Sequence, residues 1–97
     1  MHSTTKAALI MMTQCYALEL GPAGVRVNAI APGLIQTVLS EYCWKGEARL
    51  RERLATQPIK HLGQPEEIAE IAVMLSGDKA SYLTGQVVTV DGGATLA

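Results

Sequence analysis

Two titratable side chains, His2 and Lys6, stand four residues apart at the start of this chain. On a helix that spacing puts both on one face, one turn apart. An imidazole, with an ordinary pKa of about 6.5, exchanges protons near neutrality. The lysine charge beside it works against the imidazolium form that would have to donate. A second group of candidates follows: Pro32, Gly33, Ile35 and Thr37. Read singly, each has a plain explanation. Lys6 is a first-turn surface lysine, Pro32-Gly33 is a turn, Thr37 is a helix cap, and His61 is a solvated loop residue. Cys15 and Cys43 lack CxxC spacing and read as free thiols in a reducing, cytoplasmic setting. No metal site is expected.

The elements that must position these residues alternate in type. Ser3, Thr4 and Thr5 can each cap a helix, which is predicted over about 5–20 and ended by Gly21 in a left-handed conformation and by Pro22. Leu9, Met12, Tyr16 and Leu20 form its main apolar stripe, broadened by Ile10, Met11, Cys15 and Leu18, while Thr13, Gln14 and Glu19 are the polar remainder. A helix apolar on several faces is buried on several faces, so a sheet is expected on one side and another subunit or further chain on the other. Val25–Ile30 alternates and is rich in β-branched residues, which predicts a strand. From Thr37 to Thr56 the chain is helical, charged and interrupted at Gly46, followed by a connector over 58–63. Gln64-Pro65-Glu66-Glu67 starts a helix with apolar positions Ile68, Ile71, Ala72 and Leu75, and Gln86–Val90 is a second strand ended by Asp91-Gly92-Gly93. Tyr16 and Tyr82, neither with a lysine four residues later, are expected to be core or packing residues.

Two strands separated by a helical crossover imply parallel pairing with a right-handed connection. The class is therefore α/β, with two parallel strands and three to four helices in one domain over 1–97. Two parallel strands do not make a stable sheet by themselves, so the architecture has the look of an edge cut from a larger one. A chain of 97 residues buries only about 60–65% of its unfolded surface. The net charge of −1 points neither to nucleic acid nor to an anionic membrane, and no stretch is long and apolar enough to span a bilayer.

Taken in order, several motifs form a specific set. They are Ser3-Thr4-Thr5-Lys6-Ala7-Ala8, Arg26-Val27-Asn28, Pro32-Gly33, Thr37, Leu62-Gly63-Gln64-Pro65-Glu66-Glu67, Tyr82-Leu83-Thr84-Gly85 and Val90-Asp91-Gly92-Gly93. The set resembles the C-terminal half of the short-chain dehydrogenase/reductase family, a Rossmann-type doubly wound fold. The resemblance implies an NAD(P)-dependent oxidoreductase passing hydride between the nicotinamide and a small carbonyl or alcohol substrate. Lys6 would bind the nicotinamide ribose and lower the pKa of a catalytic phenol. That phenol would stand at position 2, where this chain has His2, whose ring nitrogen stops short of a tyrosine hydroxyl. Pro32 and Gly33 would pass close to the nicotinamide, Ile35 and Thr37 would contact its carboxamide and phosphate, and about 38–56 would be the substrate lid.

The sequence carries no Gly-rich turn between a strand and a helix for the pyrophosphate and no catalytic serine ahead of position 2. The expectation is a truncated C-terminal half, inactive alone and binding NADP or NAD weakly or not at all. The alternative is a non-enzymatic association module, forming a homo-oligomer or pairing with a relative through the helix over 5–20.

Overall fold

The computed structural model describes residues 2–96, with side chains described from Thr4 onward. Helix α1 spans His2–Leu20, strand β1 Ala29–Pro32, helices α2 Glu41–Trp44, α3 Glu47–Leu54 and α4 Pro65–Ser76, and strand β2 Val87–Val90. The two strands pair in parallel, as predicted for this α/β class. No described helix is long and apolar enough to cross a membrane. Contacts sort the chain into two units, one of residues 1–30 with 72–88 and one of 31–71 with 89–97.

In the first unit, α1 begins at His2 rather than near Thr5. No proline or glycine stands in the first turn to stop it, so Thr4 and Thr5 lie inside the helix; the side chain of Ser3 lies outside the described residues. At the other end the left-handed residue is Gly24, with φ of 80°, not Gly21. Pro22 cannot donate to an α-helical ladder but fits the tighter 3-10 turn Gly21–Ala23, which moves the reversal on to Gly24.

The buried face of α1 also differs from expectation. Leu9, Met12, Tyr16 and Leu20 are all exposed, and the buried residues are Thr13 and Ala17, one turn apart. The Thr13 hydroxyl donates to the Leu9 carbonyl at 2.8 Å, which satisfies it internally. Ala17 is small because the chain at Gly85 comes close: a Cβ at Gly85 would lie 3.4 Å from that of Ala17. Tyr82, expected to be a core or packing residue, is fully exposed. The described residues leave each of these large side chains partly or wholly open.

The strand also starts later than Val25. Residues 25–28 are tied down by side chains and by single backbone bonds, the Gly85 amide donating to the Val27 carbonyl at 2.7 Å, instead of a continuous ladder. The Val27 amide donates to Thr84 Oγ1 at 3.0 Å, and Asn28 donates to the Leu83 carbonyl at 2.8 Å while accepting from the Gln86 amide at 3.1 Å. Ladder bonding begins where the Ala29 amide donates to the Gln86 carbonyl at 2.8 Å. Arg26 donates to the carbonyls of Leu75 (2.8 Å), Gly77 (3.1 Å) and Ala80 (2.6 Å), closing the C-terminal end of α4. A cation there also opposes the negative end of the helix dipole.

In the second unit, α4 starts as its sequence predicts. Pro65 opens the helix, and the Glu67 carboxylate reaches back to accept from the Gln64 amide at 2.9 Å. The connector over 58–63 and the residue before it do more than link elements. Gln57 and Leu62 are among the buried residues of the chain, and Gln57 donates to the carbonyls of Ile59 (2.6 Å) and His61 (2.9 Å). Asp91 accepts from the Gly93 and Thr95 amides at 2.9 and 3.0 Å and so shapes the turn after β2.

Candidate functional site

The loop that leaves β1 is set by two neighbours. The Gly33 amide donates to the Val90 carbonyl at 2.9 Å, and a Cβ on Gly33 would stand 2.7 Å from Asp91 Cα. Glycine is required there because another backbone occupies the space. Next, Ile35 and Gly63 form an isolated parallel bridge: the Gly63 amide donates to the Leu34 carbonyl at 3.2 Å and the Gln36 amide to the Gly63 carbonyl at 2.8 Å. In a parallel bridge the central residue's own amide and carbonyl point away from the partner. The Ile35 carbonyl accepts from Ser40 Oγ at 2.5 Å, and the Ile35 amide has no partner among the described residues. The Ile35 side chain lines a cavity of about 120 Å³ with Ile59, Ile68 and Val90.

Thr37 is held by the same serine. Its amide donates to Ser40 Oγ at 3.1 Å, and its hydroxyl accepts from the Ser40 amide at 3.2 Å. Trp44 donates its indole N–H to Ser40 Oγ at 3.1 Å. A serine oxygen has two acceptor sites. The Thr37 amide, the Trp44 indole and the Thr37 hydroxyl, which also donates to Ser40 Oγ at 3.1 Å, compete for them. The loop presents an unpaired amide at Ile35 and, two residues on, a Thr37 hydroxyl that turns its proton to a ligand only by giving up its bond to Ser40 Oγ. That donor set fits a carboxamide oxygen and a phosphate oxygen. Pro32, which brings no amide of its own, is exposed at the end of β1.

Lys6 lies on α1, in the other unit, where it is exposed and has no polar partner among the described residues. The backbone of α1 sets positions 2 and 6 one helical turn apart. The side chain of His2 lies outside the described residues. Among the tyrosines, Tyr42 in α2 has its pKa pushed up, first by its hydrogen bond with Cys43 and then by the charge of that thiol. That direction is opposite to what an activated phenol needs. Both cysteines are free, and no described cluster could hold a metal ion.

Sequence reasoning had not singled out Ser40. The visible signal was a hydroxyl three residues after Thr37 and four before the sole tryptophan. Residues 38–56 contain α2 and α3, separated at Gly46 as expected. Their ion pairs, Lys45 with Glu41 at 3.0 Å and Arg51 with Glu47 at 3.1 Å, are exposed and contribute little.

An α/β arrangement whose first strand ends in this loop is the C-terminal side of a dinucleotide-binding fold. The family model described as enoyl-(acyl carrier protein) reductase matches residues 1–95. The chain belongs to the short-chain dehydrogenase/reductase family, whose solved members include chains bound to NADH and NADP. It is 45% identical over 93 residues to dehydrogenase/reductase SDR family member 4 of Bos taurus, covering 96% of this chain and 33% of that protein. It is 41% identical over 96 residues to the 3-oxoacyl-[acyl-carrier-protein] reductase FabG of Thermotoga maritima, covering 98% of this chain and 38% of that one. A solved 4-hydroxyisoleucine dehydrogenase complexed with NADH superposes with a TM-score of 0.91 at 34% identity, over 97% of this chain and 39% of that chain. The chain thus spans between a third and two-fifths of the length of these relatives.

Proposed function

We propose that these residues form the nicotinamide and lid side of a carbonyl or alcohol oxidoreductase using NADP or NAD, and that the 97-residue chain is inactive alone. A bound nicotinamide cofactor supplies or accepts the hydride. The Ile35 amide orients the carboxamide, the Thr37 hydroxyl takes a phosphate oxygen, and Pro32-Gly33 keeps the backbone low beneath the ring. Lys6 donates to the ribose hydroxyls and, by its charge, lowers the pKa of a phenol at position 2. The observation that carries this reading is the unpaired Ile35 amide beside the Thr37 hydroxyl. His2 is a poor substitute for the phenol, because its ring is shorter and the lysine charge disfavours its donating form.

Two experiments test this. The purified chain, followed by NADPH and NADH absorbance with a panel of ketones, should show no turnover; clear turnover overturns the inactive reading. Grafted in place of the matching third of the bovine relative, the chain should reduce ketones when His2→Tyr is included, and should be slower by about 10²–10⁴ with His2 retained. A graft that binds NADPH but stays inert with tyrosine present sinks the assignment of Lys6 and the loop.

The exposed apolar residues of α1, Met11 and Leu18 among them, favour a second reading, an association module that forms a homo-oligomer or pairs with a relative through this helix. Light scattering that returns a well-folded monomer counts against it. The free thiols fit a cytoplasmic setting.

A further inference from the structure

Ser40 occupies the N-cap position of α2, yet its side chain makes no capping bond to that helix. A serine at such a position ordinarily satisfies an amide two or three residues on. Here the hydroxyl turns the other way. It donates to the Ile35 carbonyl at 2.5 Å and accepts from the Thr37 amide at 3.1 Å and from the Trp44 indole at 3.1 Å. The Thr37 carbonyl at 3.2 Å is a second acceptor for its proton, and the Thr37 hydroxyl, at 3.1 Å, is a third donor to its two acceptor sites. All of these partners belong to Ile35 and Thr37 of the ligand-facing loop except Trp44, which belongs to the lid. Ser40 and Trp44 are both half-buried, and the bonds of Ser40 Oγ to the Ile35 carbonyl and the Trp44 indole are partly shielded from water, whereas its bond to the Thr37 amide is exposed.

We infer that Ser40 is a positioning residue whose hydroxyl couples the lid, through Trp44, to the loop carrying Ile35 and Thr37. The inference rests on the reading of that loop as the nicotinamide contact, but the coupling itself is measurable without any cofactor. If the Trp44 indole leaves, Ser40 loses the group that fixes its oxygen from the lid side. The Thr37 amide then loses a fixed acceptor. In the opposite direction, fixing Thr37 on a ligand holds Ser40 in place and with it the seat of Trp44.

The test uses amide and indole hydrogen exchange by NMR on the whole chain. Trp44→Phe removes the indole donor and touches no loop atom. It should speed exchange at the Thr37 amide at least about threefold, the equivalent of losing a weak hydrogen bond, while the α4 amides keep their protection. Ser40→Ala should speed both the Thr37 amide and the Trp44 indole, and Ser40→Thr should restore both. A folded Trp44→Phe chain with unchanged Thr37 exchange overturns the coupling. If Trp44→Phe does not fold, the serine pair decides: both protons must respond to Ser40→Ala and recover together in Ser40→Thr, and a response at one alone overturns the proposal. Titration with NADPH, read by the emission of Trp44, the sole tryptophan, separates this inference from the functional reading. A coupled lid and loop with no NADPH effect in the grafted enzyme overturns the cofactor assignment and leaves the coupling standing.

Discussion

Along α1 the large apolar side chains are open: Leu18 is 80% exposed, and among the helix's described residues only Thr13 and Ala17 are buried. Along the loop from Gly33 to Ser40 the opposite economy holds. Several backbone groups there are matched by Val90, Gly63 and Ser40, the Ile35 amide being left open, and Gly33 stands where another atom already sits. The helix is defined by its own ladder and tolerates whatever its outer face carries. The loop has no ladder, so each position depends on a named partner.

The largest expected effect breaks the loop side of this comparison. Gly33→Val sets a branched side chain against Asp91 backbone 2.7 Å away, which cannot rotate aside. A loss of about 3 kcal/mol or outright unfolding is expected, at the severe end of overpacking, read from the urea midpoint. A midpoint within error of the native chain would mean that the β1 and β2 ends are not held together as described.

A pair of α1 variants sharpens the other side. Ala17→Leu, facing Gly85, should destabilise by about 1–3 kcal/mol, whereas Leu18→Ser should shift stability by less than about 0.5 kcal/mol. Equal effects would erase the distinction between the buried small face and the open large one. A substantial, concentration-dependent loss in Leu18→Ser would show that a second copy covers this face.

The smallest effect concerns acid. The hydrogen bonds from Thr95, and then from Gly93, hold the Asp91 carboxyl below its ordinary pKa. A depressed folded pKa gives stability that is present above the unfolded value of about 3.9 and lost as pH falls through the folded one. Asp91→Asn should flatten the low-pH limb of a stability profile. An unchanged limb would show that the turn after β2 contributes nothing to acid sensitivity.

Most of the element order was legible from the chain. Periodicity and start signals placed α4 at Pro65, and the charged run with Gly46 resolved into α2 and α3. The misplaced boundaries share a cause. Val25–Asn28 has strand-like residues, but Val27 and Asn28 are held by Leu83, Thr84, Gly85 and Gln86, more than fifty residues away in sequence for Val27 and Thr84. Nothing in a local pattern reports that. Gly24 rather than Gly21 carries the reversal because Pro22 chooses the 3-10 turn, a contest that propensity alone leaves open.

The sequence by itself determined the family, the helix–strand alternation, and the residue types at Lys6, Pro32, Gly33, Ile35 and Thr37. The alternation follows from chain-local chemistry, that is spacing, turn residues and hydrophobic period, and the family from the resemblance carried by the ordered set of motifs. Only the tertiary structure decided that Thr13 and Ala17 are the buried face of α1, that Gly33 yields to Asp91, and that Ser40 serves the loop and Trp44 instead of capping its own helix. Those outcomes depend on which distant donor, acceptor or backbone arrives within about 3 Å, and a one-dimensional pattern carries no record of that distance.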